Sequence, residues 1–223
     1  MSPAFLPGNL VSRVSGPDVQ DSSGLGRWNG VTLAGRNNQH LTILTAYRVC
    51  SNSIRNTSLG SAFAREYYHF AADTGQTVNP RRLFLRDIKK QIQDLQQLGH
   101  AIVLMLDANA TKKSDSAFSD FITECSLTDF HSSDPAPSTY IGSDSRRIDF
   151  ILGCPTVYQH MTCSGTRAYN AGTQSDHQSL FVNLDLEQFL YVSSDGIQPT
   201  VSHALVHTGN PGLVEAYNTS LLQ

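Results

Sequence analysis

Apolar and polar positions divide the chain into alternating strand-like and helix-like stretches. Val31 and Leu33 alternate with Thr32 and Ala34, the period of a half-buried strand. Arg36-Asn37-Asn38-Gln39 is a polar turn, and Leu41–Tyr47 is a second strand rich in apolar and β-branched residues, so the two form a hairpin. Gly60–Asp73 places Phe63, Tyr67 and Phe70 on one helical face. The next helix is the best marked. Asn79 is its N-cap, Pro80 its first residue, and Phe84, Ile88, Ile92 and Leu95 recur at helical spacing up to the stop at Gly99. Ala101–Leu106 is a continuous apolar run and reads as a buried strand. Ser114–Cys125 carries Phe118, Phe121, Ile122 and Cys125 on one face of a short helix. A loop with Pro135 and Pro137 follows, and then two apolar strands, Ile148–Leu152 and Leu180–Leu184.

Strands mixed with amphipathic helices predict an α/β (α+β) domain whose sheet is at least partly antiparallel. Residues 1–27 are rich in Gly, Pro and Ser without periodicity and read as a poorly ordered lead-in. The domain occupies 28–186. The tail, 187–223, is broken by Gly196 and Pro199 and carries a short helix over Val214–Leu222.

Composition narrows the class. Hydrophobic residues make up 39% of the 223 positions, enough for a core, and charged residues only 16%, which excludes a highly charged disordered chain or a coiled coil. The net charge of −3 and a pI near 6.2 exclude a strongly basic nucleic-acid binder, but not an enzyme with a local basic patch. No apolar run approaches the roughly 18–20 residues of a membrane helix, and Met1–Leu10 has no apolar signal core. Cys50, Cys125, Cys154 and Cys163 show no Cys-x-x-Cys spacing, which argues for reduced thiols in an intracellular setting rather than for zinc.

Three polar clusters interrupt or end the apolar strands. Asp107-Ala108-Asn109 follows the Ala101–Leu106 strand, and in an extended chain residues two apart point the same way. A carboxylate beside a carboxamide can hold a water, although the same residues also make an Asx turn. Asp149 breaks the apolar run Ile148–Leu152, and a buried carboxylate needs a partner. Ser175-Asp176-His177 precedes the last strand, and an aspartate elsewhere can fix the tautomer of His177.

The segments "ILTAYR", "IVLMLDAN", "TYIGSDSRRIDFIL" and "SDHQSLFVNLD", in this order, resemble the endonuclease/exonuclease/phosphatase superfamily, the deoxyribonuclease-I-like phosphodiesterases, from about Trp28 to about Leu186. The helix "NPRRLFLRDIKKQI" narrows the resemblance toward nuclease-like domains of retroelements. The resemblance implies a four-layered α/β sandwich and divalent-metal-dependent phosphodiester hydrolysis with Mg²⁺ or Mn²⁺. Asp107 would take a proton from the attacking water and Asn109 would orient that water. His177, held by Asp149, would meet the phosphate, Tyr47 would donate a phenol hydrogen bond to it, and Asp176 would support the metal or the histidine. The implied partner is nucleic acid, DNA favoured, with Lys112, Lys113 and Arg146 as backbone contacts. The basic residues Arg81, Arg82, Arg86, Lys89 and Lys90 read instead as a solvated helix face.

The resemblance also predicts a departure. The family's metal-binding glutamate lies upstream of the tyrosine, but Glu66, Glu124, Glu187 and Glu215 all follow Tyr47. Asn29 lies too close to Tyr47 to serve as the family's upstream asparagine. The N-terminal strands of the sandwich are thus expected to be missing and nuclease activity to be weak. A non-catalytic remnant, or a phosphatase acting on a lipid or small phosphoester, stays open as an alternative.

Overall fold

The computed structural model describes residues 8–50, 58–132, 137–141, 146–167 and 175–190. The elements in chain order are α1 (Gly8–Val11), β1 (Val19–Gln20), β2 (Trp28–Ala34), β3 (His40–Tyr47), α2 (Ala62–Thr74), α3 (Pro80–Gln97), β4 (His100–Asp107), α4 (Ser116–Glu124), β5 (Thr128–Asp129), β6 (Asp149–Gly153), α5 (Pro155–Tyr158), β7 (Met161–Thr166), β8 (Leu180–Leu184) and α6 (Leu186–Leu190). Six strands form one sheet in the order β1-β2-β3-β4-β6-β5, and β7 and β8 form a separate hairpin. β2 and β3 are the expected antiparallel pair, while β3 and β4 run parallel. A parallel pair needs a long crossover, which α2 and α3 supply.

Helix ends follow the sequence signals. The Asn79 side chain accepts from the Arg82 N–H at the start of α3, and Asp115 does the same for Phe118 at the start of α4. Gly75 closes α2 with a left-handed backbone, φ 66°. Trp28, Ala46, Leu106 and Phe150 are register partners in turn across β2, β3, β4 and β6, so their side chains share one face of the sheet. The helices cover that face: Phe84 of α3 meets Trp28 edge-on at 6.0 Å, and Phe118 of α4 meets Phe150 at 5.0 Å. Phe84, Ile88, Ile92 and Phe118 are wholly buried, each worth about 1.5–3 kcal/mol of transfer free energy. The opposite face alternates with this one. There Ile43 and Met105 are only partly buried.

Two expectations are corrected and one strand is added. Residues 8–27 are not a loose lead-in: β1 pairs with β2, Val14 bridges Leu33, and Asp21 is buried against Arg27. Strand β7, "MTCSGT", goes unrecognised in the sequence because its residues are small and polar with weak alternation. Arg81 does not belong to the solvated face of α3; it is buried. The tail beyond Leu190, including the helix expected over Val214–Leu222, lies outside the described residues. Among the described residues no helix is long and apolar enough to cross a membrane.

Candidate active site

Strand pairing builds the centre of the site. Tyr47 ends β3 opposite Asp107 of β4, and Asp107 lies opposite Asp149 of β6. Register partners point the same way, so the phenol and the two carboxylates form one row across three strands, on the face the helices leave open. His177 joins from the loop before β8. Its Nδ1 lies 2.9 Å from Asp149 Oδ2. Asp107, Asp149 and His177 bring their ligand atoms within 4.8 Å of one another, and all three are half-buried.

A buried threonine holds the second half of this arrangement. Thr139, 0% exposed, accepts from the N–H groups of both Ile148 and Asp149 through Oγ1, each at 3.0 Å, and its carbonyl accepts from Gln178 N–H at 2.7 Å. It therefore ties the start of β6 to the residue after His177. Tyr140 extends this tie, bridging His177 along the backbone and meeting the imidazole edge-on at 5.3 Å. The β7–β8 hairpin is pinned by His131, whose Nε2 lies 3.0 and 3.1 Å from the carbonyl oxygens of Gly165 and Phe181. The sequence reading missed Thr139 and His131. Thr139 stands at the head of the "TYIGSDSRRIDFIL" segment, which is the one signal that marked it.

The loop after β4 is equally constrained. Asn109 adopts a left-handed backbone, φ 46°, which Asn tolerates better than most residues. The turn aims its N–H at Asp107 Oδ1, 3.0 Å away. Its side chain is engaged as well: Nδ2 donates to the Arg48 carbonyl at 2.8 Å, and Oδ1 accepts from the Cys50 thiol at 3.1 Å. Arg81 reaches the Asn109 carbonyl at 3.2 Å and shares Asp115 with Arg48. Asn109 thus shapes the site through its backbone and braces the loop with its amide.

Burial and charge tune two of these groups. Burial, then the neighbouring Asp149, pushes Asp107 up to about 6, against opposing pulls from the Asn109 N–H, His177 and Arg81. Its carboxyl therefore changes charge close to neutral pH. Burial, with Cys50 and Asp107 nearby, pushes Tyr47 up to about 12. The phenol thus keeps its proton and acts as a hydrogen-bond donor at the edge of the site, where it is 36% exposed.

The remaining predicted residues lie further out. Asp176 is exposed and is not one of the three clustered ligands; its carbonyl accepts from Ile141 N–H at 2.9 Å. Lys112 is not a free cation, because it pairs with the buried Asp129, which Arg147 also holds at 2.6 Å. Lys113 and Arg146 are exposed, with the Arg146 guanidinium 5.6 Å from the Tyr140 ring centre.

No protein-family model and no curated protein matches the sequence. Similar solved structures include nucleases, a 3′ phosphatase and proteins described as endonuclease/exonuclease/phosphatase family members from Bacteroides. The endonuclease domain of TRAS1, a telomere-specific non-LTR retrotransposon, is 14% identical with a TM-score of 0.49 over 77% of this chain and 69% of that one. The 3′ phosphatase NExo from Neisseria, bound to a product DNA hairpin, is 15% identical with a TM-score of 0.47 over 72% of this chain and 65% of its own. The AP endonuclease LMAP from Leishmania major is 10% identical with a TM-score of 0.47 over 70% of this chain and 54% of its own. All are distant likenesses, and the chemistry of the site follows from this chain's own side chains.

Proposed function

We propose that the chain is a phosphodiester hydrolase of nuclease type, acting on nucleic acid, DNA favoured, with the help of a divalent cation. The observation that carries this reading is the row Tyr47–Asp107–Asp149 with His177 hydrogen-bonded to its far end. Asp107 is the proton acceptor for an attacking water: its ionisation near neutral pH suits a base that must be free yet able to take a proton. The Asp149 carboxylate orients the imidazole, which sets a ring N–H donor where charge builds on a phosphate oxygen. The Tyr47 phenol, protonated throughout the working range, donates a second hydrogen bond to the same group. Exposed Lys113 and Arg146 contribute backbone contacts that place a strand without reading its sequence.

The donor set fits a hard or borderline cation that keeps most of its water. Asp107 and Asp149 each retain a carboxylate oxygen beyond the hydrogen bonds described above, and two carboxylates suffice for Mg²⁺ or Mn²⁺ alongside a phosphate. Asp176 is exposed close by and is proposed as an outer support. When bound, the cation would neutralise phosphate charge. Two protein carboxylates, without the glutamate the family resemblance calls for, give a loosely held ion and a slow enzyme.

The test is nicking of supercoiled plasmid by the full chain in millimolar Mg²⁺ or Mn²⁺, with and without chelator. Slow, chelator-sensitive nicking that disappears in Asp107→Ala and His177→Ala is expected. Nicking that survives either substitution, or its complete absence in the wild type, refutes the reading. Robust nicking lost in Asp107→Ala keeps the reaction and overturns only the expectation of a weak cation site.

A further inference from the structure

Helix α2 is attached to the sheet through a buried charged node in which Glu66 carries an unpartnered carboxylate oxygen. Arg27, 3% exposed, lies between two rings, its guanidinium carbon 4.7 Å from the Trp28 centroid and 4.9 Å from that of Phe70 on α2. Its Nε and Nη2 reach the buried Asp21 at 2.9 and 2.8 Å, and Nη2 also reaches Asp87 of α3 at 3.0 Å. Glu66 of α2 enters the same node. It is 6% exposed, and its Oε2 is buried without a hydrogen-bond partner. The charges acting on it are Arg27 and Asp21 from the sheet side and Arg65 from its own helix, with Asp87 reaching Arg27 from α3. Arg27 Nη2 already serves both Asp21 and Asp87, Asp87 also pairs with the exposed Arg86 at 2.7 Å, and Arg27 Nη1 and Glu66 Oε2 are each buried without a hydrogen-bond partner, so Glu66 is costly in its ionised form.

We propose that Glu66 is a proton-operated latch: protonated, it lets α2 lie against Arg27 and Trp28; ionised, it loosens α2 from the sheet. The latch adjoins the candidate site, because the Arg27 carbonyl accepts from the Tyr47 N–H at 2.9 Å, and the chain leaving Tyr47 leads into α2. The inference stands whatever chemistry the site performs. Burial, with Asp21 adding to it and Arg27 and Arg65 opposing, raises the Glu66 carboxyl from 4.5 to about 7. A carboxyl raised in the fold costs nothing below its unfolded value, costs progressively more as pH rises, and costs most above its folded value. The latch therefore holds in mild acid and slackens above neutral pH.

Hydrogen exchange of the full chain, corrected for the intrinsic pH dependence of exchange, reads the latch directly. Between about pH 5.5 and about pH 8.5 the opening constant of the α2 amides is expected to rise by about 30-fold, the factor that the two carboxyl values set. The β4 amides should show no comparable rise. Glu66→Gln, neutral and of the same shape, should remove the pH dependence of α2 and keep it protected. Three outcomes overturn the proposal: a flat wild-type profile, the same rise in Glu66→Gln, or a rise shared equally by β4, which would place the proton's effect on the whole fold.

Discussion

Asp149→Asn separates the two influences that raise Asp107. The amide keeps the shape of the side chain and an oxygen able to accept from His177 Nδ1, but removes a negative charge within 4.8 Å of Asp107. Two unit charges at that distance repel by about 0.9 kcal/mol in water and about 3.5 kcal/mol at an effective dielectric of 20. Asp107 and Asp149 are half-buried at the sheet's open face, and burial exceeds Asp149 as the cause of the shift. The contribution of Asp149 therefore falls near the lower figure, roughly 1 kcal/mol or somewhat under one pH unit. Asp107 should fall from about 6 toward about 5 in the variant, because its burial is untouched. A ¹³C-carboxyl NMR titration, with Asp107→Asn assigning the resonance, measures this without any activity. In the nicking assay the acid limb of the pH–rate profile should move down by the same amount, while the plateau drops because the imidazole has lost its anionic partner. An unmoved Asp107 titration would show that the two carboxylates do not share a site, and would refute the pocket described here.

Two further expectations concern how the site is held. Thr139→Val removes the acceptor for the buried Ile148 N–H and the part-buried Asp149 N–H; it should cost about 2–4 kcal/mol in a chemical-denaturation measurement and lower kcat more than it changes KM, because Asp149 and His177 are held through that residue. Gly30→Ala would drive a Cβ into the Ile43 carbonyl oxygen, a backbone atom that cannot swing away, so a loss of at least about 2 kcal/mol and a lower Tm are expected, and a variant as stable as the wild type would show β2 and β3 to be less closely apposed.

The helical half of this fold was the most legible. The 3.6-residue recurrence of Phe84, Ile88, Ile92 and Leu95 between Asn79 and Gly99 fixes α3 almost to its ends, because local periodicity and capping agree. Strands with apolar runs were legible too, down to the β2–β3 hairpin. Sequence could not show that β3 and β4 lie side by side, since their parallel pairing spans two intervening helices. It marked Asp107, Asp149 and His177 because Asp149 breaks an apolar run and the other two flank apolar strands, while their meeting in one pocket was implied by the family resemblance. It misjudged Arg81 because a charged side chain on a helix looks solvated until its buried acceptors are known. Arg81 reaches the carbonyls of Val49 and Asn109, and Lys112 reaches Asp129. Such partners are distant in sequence, so no local pattern announces them.

The polar row and the apolar core are two aspects of one registration. Along β6 the side chains alternate, so Asp149 faces the site because Phe150 faces α4, where it meets Phe118 at 5.0 Å. Along β4, Asp107 faces the site because Leu106 is buried under the helices. A slip of one residue between these strands would send Phe150 to the open face and Asp149 into the core, at the cost of a desolvated carboxylate and a lost aromatic contact. The hydrophobic face thus enforces the alignment of Tyr47, Asp107 and Asp149. The strand ends then leave only the imidazole to be placed by loops, and that placement falls to the buried hydroxyl and carbonyl of Thr139.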